Sequence, residues 1–245
     1  MTPTMAYGVC VAIGATVALA IRRRESRRLG YTSHPGYRFV GVGCLVGAVI
    51  GSKLAMLLYL PLNDMPRLWE AARSLRFDGK SIVGALAGGY LFGELAKKLA
   101  GVKFSTGDAL AVALPVSQAI GRLGCFFAGC CYGTATSLPW AVLNHGAMRH
   151  PVVLYESALD LMLAGVLYAA REVPRTPGHL FRWYLIGYAT IRFALESLRG
   201  EPQRSVGPLS AVQIICLIAA IALLVSLRSR GDQAPEQPEL KPERV

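Results

Sequence analysis

Charge is what this sequence has least of. Only 17% of its 245 residues are Asp, Glu, Lys or Arg, against about 25% in ordinary soluble domains, while 53% fall in the hydrophobic set. That shortage excludes an average soluble enzyme. Negative charge is the scarcer sign, with 15 acidic against 26 basic residues and a net charge of +11. In a soluble chain the surplus would point to nucleic acid. Here the basic residues stand between apolar runs, where they set membrane orientation and attract anionic headgroups, so no nucleic acid is expected as a partner. The first apolar run also lacks a charged n-region before it and a small-residue cleavage site after it. It reads as a retained span, not a removed signal peptide. No repeat relates two halves of the chain, which weighs against a transporter built from inverted repeats.

What the chain does have is apolar length. Its mean hydropathy of +0.41 is spread over separate runs, and about 20 apolar residues in a helix cross a bilayer core of roughly 30 Å. Seven runs qualify: residues 4–21, 39–60, 82–100, 107–128, 152–170, 179–197 and 209–227. The sequence therefore predicts an all-α integral membrane protein with seven transmembrane helices, a single domain over residues 1–227. Residues 228–245 read as a disordered cytoplasmic tail, too polar to bury the surface that ordering demands. Loops on one side carry 15 Lys and Arg and those on the other 7. This bias puts the C-terminus in the cytoplasm and the N-terminus outside. Gly84, Gly88, Gly89 and Gly93 in the third run predict close backbone packing with a neighbour, or close approach of a lipid.

Ionisable groups inside a span are costly, so each is a candidate for function. Glu156 and Asp160 are four residues apart, as are Arg192 and Glu196, so each pair shares a helix face. Arg199 lies a further turn beyond. A structural ion pair accounts for Arg192 and Glu196, but Arg122 and Arg199 then leave positive charge in excess. Guanidinium groups at the outer half of a bilayer suit a phosphate, held through paired hydrogen bonds. Lys53 reads as a snorkelling side chain and Glu94 as an interfacial partner of Lys97 and Lys98.

The densest constellation runs from Gly121 to Gly133: Gly121, Arg122, Gly124, Cys125, Phe126, Gly129, Cys130, Cys131 and Gly133. Its four glycines permit a bent or unwound helix end and let bare backbone approach a headgroup; a packing knot is the plainer alternative. Cys125, Cys130 and Cys131 leave metal ligation, a disulfide or a nucleophile open. C-x-x-C spacing is absent, adjacent cysteines rarely serve one site, and buried cysteine is often apolar filler. No metal is expected. Downstream, Pro151 is placed to start a helix, with His150 at its mouth and Glu156 in its first turns.

These residues, taken together, resemble the phosphatidylglycerol:prolipoprotein diacylglyceryl transferase family. The resemblance rests on Gly121-Arg122-x-Gly124-x-Phe126 with Gly129 and Gly133, then His150-Pro151-x-x-Leu154-Tyr155-Glu156. Leu185 to Ala189 with Arg192, Phe193, Glu196 and Arg199 follow, and then Gly207-Pro208-Leu209-Ser210 with Gln213. It covers residues 118–225 and is weaker before them, where Tyr7-Gly8 and the stretch Gly79 to Gly88 are similar to family features. The resemblance implies a reaction at the outer face of a bacterial inner (plasma) membrane. The lipobox cysteine of a prolipoprotein signal peptide attacks the phosphate-bearing glycerol carbon of phosphatidylglycerol, forming a thioether and releasing glycerol-1-phosphate. It implies no cofactor, and membrane lipids and prolipoproteins as partners. It places Arg122, Arg192 and Arg199 on the lipid phosphate, with Glu196 orienting Arg192 and with Gly121, Gly124, Gly133, Cys125 and Cys130 in the substrate-binding stretch.

The chain departs from the family pattern in two places. Val83 stands where the family's His-Gly-Gly has its histidine, and Cys125, Ala128 and Cys130 replace two asparagines and a glutamate. Valine cannot accept a proton. Either another group takes the base role, with His150, Tyr7 and Glu156 as the catalytic candidates, or the acceptor is not a lipobox thiol. Two further functions stay open: a transferase of the same fold with a different acceptor, and a transporter or lipid-binding module without chemistry.

Overall fold

A computed structural model of the chain describes residues 2–55, 81–173, 176–200, 205–206 and 208–229. Seven long helices dominate the described residues: α1 (Pro3–Arg28), α2 (Tyr37–Leu54), α3 (Ile82–Leu99), α4 (Ala113–Ala128), α5 (Val152–Ala170), α6 (His179–Glu196) and α7 (Ala211–Ser229). Two small antiparallel hairpins interrupt them, β1 (Val142–Asn144) with β2 (Ala147–Arg149) and β3 (Ser205–Val206) with β4 (Leu209–Ser210). Each expected span thus meets a helix. The end of the second span, at 56–60, and the tail from 230 lie outside the described residues.

Among the described residues, four stretches are long and apolar enough to cross a membrane: α1, α2, Gly107–Ala128 and α5. Helices α3 and α6 each carry three charged residues, Glu94, Lys97 and Lys98 in one and Arg182, Arg192 and Glu196 in the other.

The structure shifts several expected boundaries; the seventh helix, for one, starts at Ala211 because Leu209–Ser210 pair as β4. Helix α1 continues to Arg28 because Glu25 pairs with Arg28 at 2.7 Å and with Arg171 at 3.0 Å, extending the helix past its apolar run. The expected span 107–128 keeps its bounds as an apolar stretch but is not a single α-helix. A 3-10 turn, Gly107–Leu110, precedes α4. The turn aims Asp108 at the start of α6, where its carboxylate accepts from the amides of Gly178 at 2.6 Å and Phe181 at 2.9 Å. These are amides the helix itself cannot satisfy.

The described chain forms two compact units. In the unit Tyr31–Phe104, α2 packs antiparallel on α3 through facing glycines. A Cβ at Gly47 would overlap Gly88, and one at Gly51 would overlap Gly84. The glycines of α3 therefore serve close backbone packing, and Gly43, Gly47 and Gly51 of α2 supply the matching ladder. In the other unit, residues 1–30 and 105–245, α1 packs on α4, α4 on α5, α5 on α6 and α6 on α7. Gly14 faces Ser117, and Gly124 lies against Tyr7 and Cys10, so α1 and α4 are antiparallel.

Candidate active site

Glu156 stands at the centre of the second of these units, fully buried on α5. Arg122 of α4 donates from Nη2 to its Oε1 at 2.6 Å, and the Tyr188 hydroxyl of α6 donates to the same oxygen at 3.4 Å. Arg199, just past α6, brings Nη1 to 3.8 Å from Oε2. One carboxylate is thus shared by two guanidinium groups from different elements. Arg192 and Glu196 form the expected pair within α6, with Nη1 and Oε2 2.5 Å apart but angled away from hydrogen-bond geometry. Arg122, Arg192, Glu156 and Glu196 are all buried.

The positive excess expected from sequence is therefore reduced. Glu156 turns to Arg122, so among these five residues three guanidiniums face two carboxylates. Asp160, one turn along α5, is also fully buried, and its two oxygens meet no hydrogen-bond donor among the described residues.

Glu196 is held from its other side by Ser210, whose hydroxyl donates to Oε1 at 3.2 Å. Ser210 also starts α7. Its Oγ accepts from the Gln213 amide at 3.1 Å, and Gln213 Oε1 accepts from the Ser210 amide at 2.9 Å. This reciprocal pair is a capping box, and it gives the Ser210 and Gln213 part of the sequence motif a physical reason.

The cysteine loop follows from how α4 ends. Gly129 takes a left-handed backbone (φ 69) and closes the helix, with Cys130 donating its amide to the Cys125 carbonyl at 3.2 Å. Cys131 is left-handed as well (φ 57), uncommon for a side-chain-bearing residue. The chain doubles back, and the sulfurs of Cys125, Cys130 and Cys131 all lie within 4.8 Å of one another. The Cys131 thiol is held far below the usual range, first by hydrogen bonds from the Cys125 and Cys130 thiols and then by the Arg199 and Arg122 guanidiniums. Cys130 is pushed up by its hydrogen bonds to the other two thiols. Tyr7 lies within electrostatic reach of this cluster and of Arg122.

Backbone pairing locks the loop against the end of α6. Thr134 donates to the Leu198 carbonyl at 2.8 Å and Gly200 to the Tyr132 carbonyl at 2.9 Å, which brings Cys131 beside Arg199. Gly133 is required here because a Cβ would strike the His150 backbone. Gly121, by contrast, meets nothing within 4 Å of its Cβ position.

His150 donates its amide to Thr134 at 3.0 Å, while its ring meets Tyr155, with Nδ1 3.5 Å from the hydroxyl that Trp140 Nε1 also contacts at 2.7 Å. The ring thus sits with aromatic neighbours beside the hairpin, and its described contacts are not with Arg122 or Glu156. Val83 lies in the first turn of α3, in the other unit.

Sequence reasoning missed Arg149. Its guanidinium lies over the Tyr132 ring at 4.7 Å and donates to the carbonyls of Gly133 at 3.1 Å and Asn144 at 3.0 Å, clamping β2 onto the cysteine loop. The hairpin itself had a signal in His145-Gly146, two left-handed residues that make a tight strand reversal.

A buried cluster of arginines and carboxylates, bounded by thiols and by glycine-rich backbone, can hold a phosphodiester and stabilise charge leaving it. The sequence model describing prolipoprotein diacylglyceryl transferases matches residues 2–228. The chain belongs to the prolipoprotein diacylglyceryl transferase family. Relatives named phosphatidylglycerol–prolipoprotein diacylglyceryl transferase include that of Clostridioides difficile, 30% identical over 225 residues, which are 91% of this chain and 89% of the relative. That of Clostridium tetani is 31% identical over 88% of each chain. The Bordetella bronchiseptica protein is 32% identical over 84% of this chain and 81% of its own. This member of the diacylglyceryl transferase family is an all-α integral membrane protein, and its Arg122, Glu156, Arg192, Glu196, Arg199 and Ser210 converge within one compact unit.

Proposed function

We propose that this chain transfers a diacylglyceryl group from phosphatidylglycerol to the lipobox cysteine of prolipoproteins, a step of lipoprotein biosynthesis. The observation that carries the reading is Glu156 shared by Arg122 and Arg199, inside a chain that matches this family almost end to end. A shared carboxylate fixes two guanidiniums in place before substrate arrives, and a phosphate entering beside them meets donors already oriented. The acceptor thiolate attacks the glycerol carbon that bears the phosphate. A C–S bond forms, the C–O bond breaks, and its electron pair leaves with glycerol-1-phosphate, whose developing charge the arginines stabilise. The thiol proton must be removed first, because an unperturbed thiol, with a pKa of about 8.5, is only a few per cent ionised at neutral pH. Purified protein given phosphatidylglycerol vesicles and a lipobox peptide is expected to yield the thioether peptide and glycerol phosphate. Intact peptide after complete exposure would overturn the reading.

The chain works in a bacterial inner membrane with seven crossings, its N-terminus outside and its C-terminus in the cytoplasm. The 15-to-7 distribution of Lys and Arg supports that orientation, and it puts the 129–151 and 198–208 segments on the outer side. Green fluorescent protein fused at the C-terminus is expected to fluoresce and alkaline phosphatase there to stay inactive. Active alkaline phosphatase would reverse the topology.

Val83 favours one second reading, that the acceptor is a different thiol or hydroxyl. Glycerol phosphate released without thioether peptide, in the presence of membrane extract, would select it.

A further inference from the structure

The three thiols are the part of the site that phosphate chemistry leaves unused. Cys125 lies in the last turn of α4, Gly129 ends the helix, and the left-handed backbones of Gly129 and Cys131 bring the Cys130 and Cys131 side chains back toward it. The sulfurs come within 4.8 Å of one another. Adjacent cysteines normally point apart, so the spacing alone argued against one shared site; the reversal removes that objection. Around a tetrahedral zinc, with bonds of about 2.3 Å, three thiolates stand about 3.8 Å apart. Side-chain rotation over roughly an ångström closes the difference.

We propose that Cys125, Cys130 and Cys131 form a three-thiolate site for a zinc-class cation, whose open fourth position takes the acceptor thiol. The inference rests on the proposed transfer and adds to it the group that activates the nucleophile. Three protein ligands with a fourth position open is the pattern of catalytic zinc, and a thiol coordinated there is deprotonated outright. Charge permits it. Three thiolates and a divalent cation leave one negative charge, beside the Arg199 and Arg122 guanidiniums that face the cluster. Cys130 is exposed and gives ion and peptide a way in, whereas Arg122, on the α4 helix that leads into this loop, is buried with Glu156. The site therefore has a wet thiol side and a dry phosphate side eight residues apart along the chain.

The step balances without redox chemistry. The acceptor S–H proton passes to solvent at the Cys130 side as sulfur joins the metal. The bound thiolate attacks the glycerol carbon, C–S forms, C–O breaks, and the electron pair leaves on the phosphate. The metal keeps its oxidation state. No side-chain base is then needed where Val83 stands.

The test uses the full-length protein, purified in detergent, reduced and freed of metal. Titration with cobalt(II) is expected to give thiolate charge-transfer and visible tetrahedral bands that saturate at one ion per chain and vanish when zinc(II) is added. Cys130→Ser and Cys131→Ser should each weaken cobalt binding by about a hundredfold, while Cys44→Ser, in the other unit, should bind as the wild type does. A lipobox peptide should shift the cobalt spectrum, and the same peptide with serine for its cysteine should not. Transfer activity should fall at least about tenfold on stripping and return with zinc. Absence of cobalt bands in the reduced wild-type protein would overturn the site, as would undiminished transfer by stripped protein or by Cys131→Ser. A cobalt site that responds to the peptide in a zinc-loaded protein that transfers nothing would instead retire the transfer reading and leave the thiol-binding metal site.

Discussion

Where α2 meets α3, glycine lets one backbone rest on the other; where α4, α5 and α6 meet, a fully buried glutamate is shared by two arginines. The first contact has no side chain to lose. Its strength is close approach summed over many atoms, so it tolerates no added carbon and depends little on charge. The second is ionic and deeply desolvated, which is expensive to build and gives weak net stability. Such an arrangement is kept for what it can bind. On the proposed function the buried charge is the cost of holding guanidiniums ready for a phosphate, and the glycine ladder is construction. Each contact should accordingly break in its own way.

Glu156→Ala should have the largest effect. It strands Arg122 and Arg199 in a buried setting, and removing one partner of such a pair costs about 3–5 kcal/mol. The variant is expected to lose most of its folded yield by size-exclusion chromatography in detergent. A wild-type melting temperature would show that Glu156 does not bind the helices together. Arg122→Gln comes next and separates chemistry from packing. It should fold, because Arg199 still faces the Glu156 carboxylate, yet lose about a hundredfold in turnover, equivalent to ~3 kcal/mol at the transition state. Wild-type turnover by the folded variant would remove Arg122 from the phosphate.

Gly88→Leu tests the other contact. Its side chain would have to enter the backbone of Gly47 and Gly51, and overpacking of this kind costs about 1–3 kcal/mol. Gly165→Ala is the comparison, since nothing lies within 4 Å of that Cβ; it should be neutral or stabilising by up to about 1 kcal/mol. Equal melting temperatures for the two variants would mean that the ladder is not a packing surface.

Helix positions were legible in the sequence because the bilayer length and the apolar run are the same quantity seen twice. The fifth span, 152–170, matches α5 residue for residue, since Pro151 marks its start. Partner choice was less legible. Spacing could pair Arg192 with Glu196, four apart on one helix, but Glu156 had its nearest acidic neighbour in Asp160 and its partners 34 and 43 residues away, in Arg122 and Arg199. Such pairing is decided by which helices pack. The cysteine cluster was hidden for a related reason: left-handed backbone at Gly129 and again at Cys131 reverses the chain, and the spacing of the cysteines carries no sign of the second turn.

The smallest effect belongs to Ser210, which touches both kinds of contact. Its hydroxyl caps α7 through the Gln213 amide and also donates to Glu196, the carboxylate that holds Arg192. Ser210→Ala removes both bonds. Loss of the cap alone costs about 1 kcal/mol, so a modest drop in melting temperature is expected, with faster hydrogen exchange at the Gln213 amide. If Ser210 also steadies Glu196 for the phosphate site, turnover should fall further than the lost stability explains. Asp at this position separates the two roles: Ser210→Asp keeps an acceptor for the cap but sets a second carboxylate against Glu196. Restored exchange protection with still lower turnover would assign Ser210 to the arginine cluster, whereas recovery of both would leave it a helix cap alone.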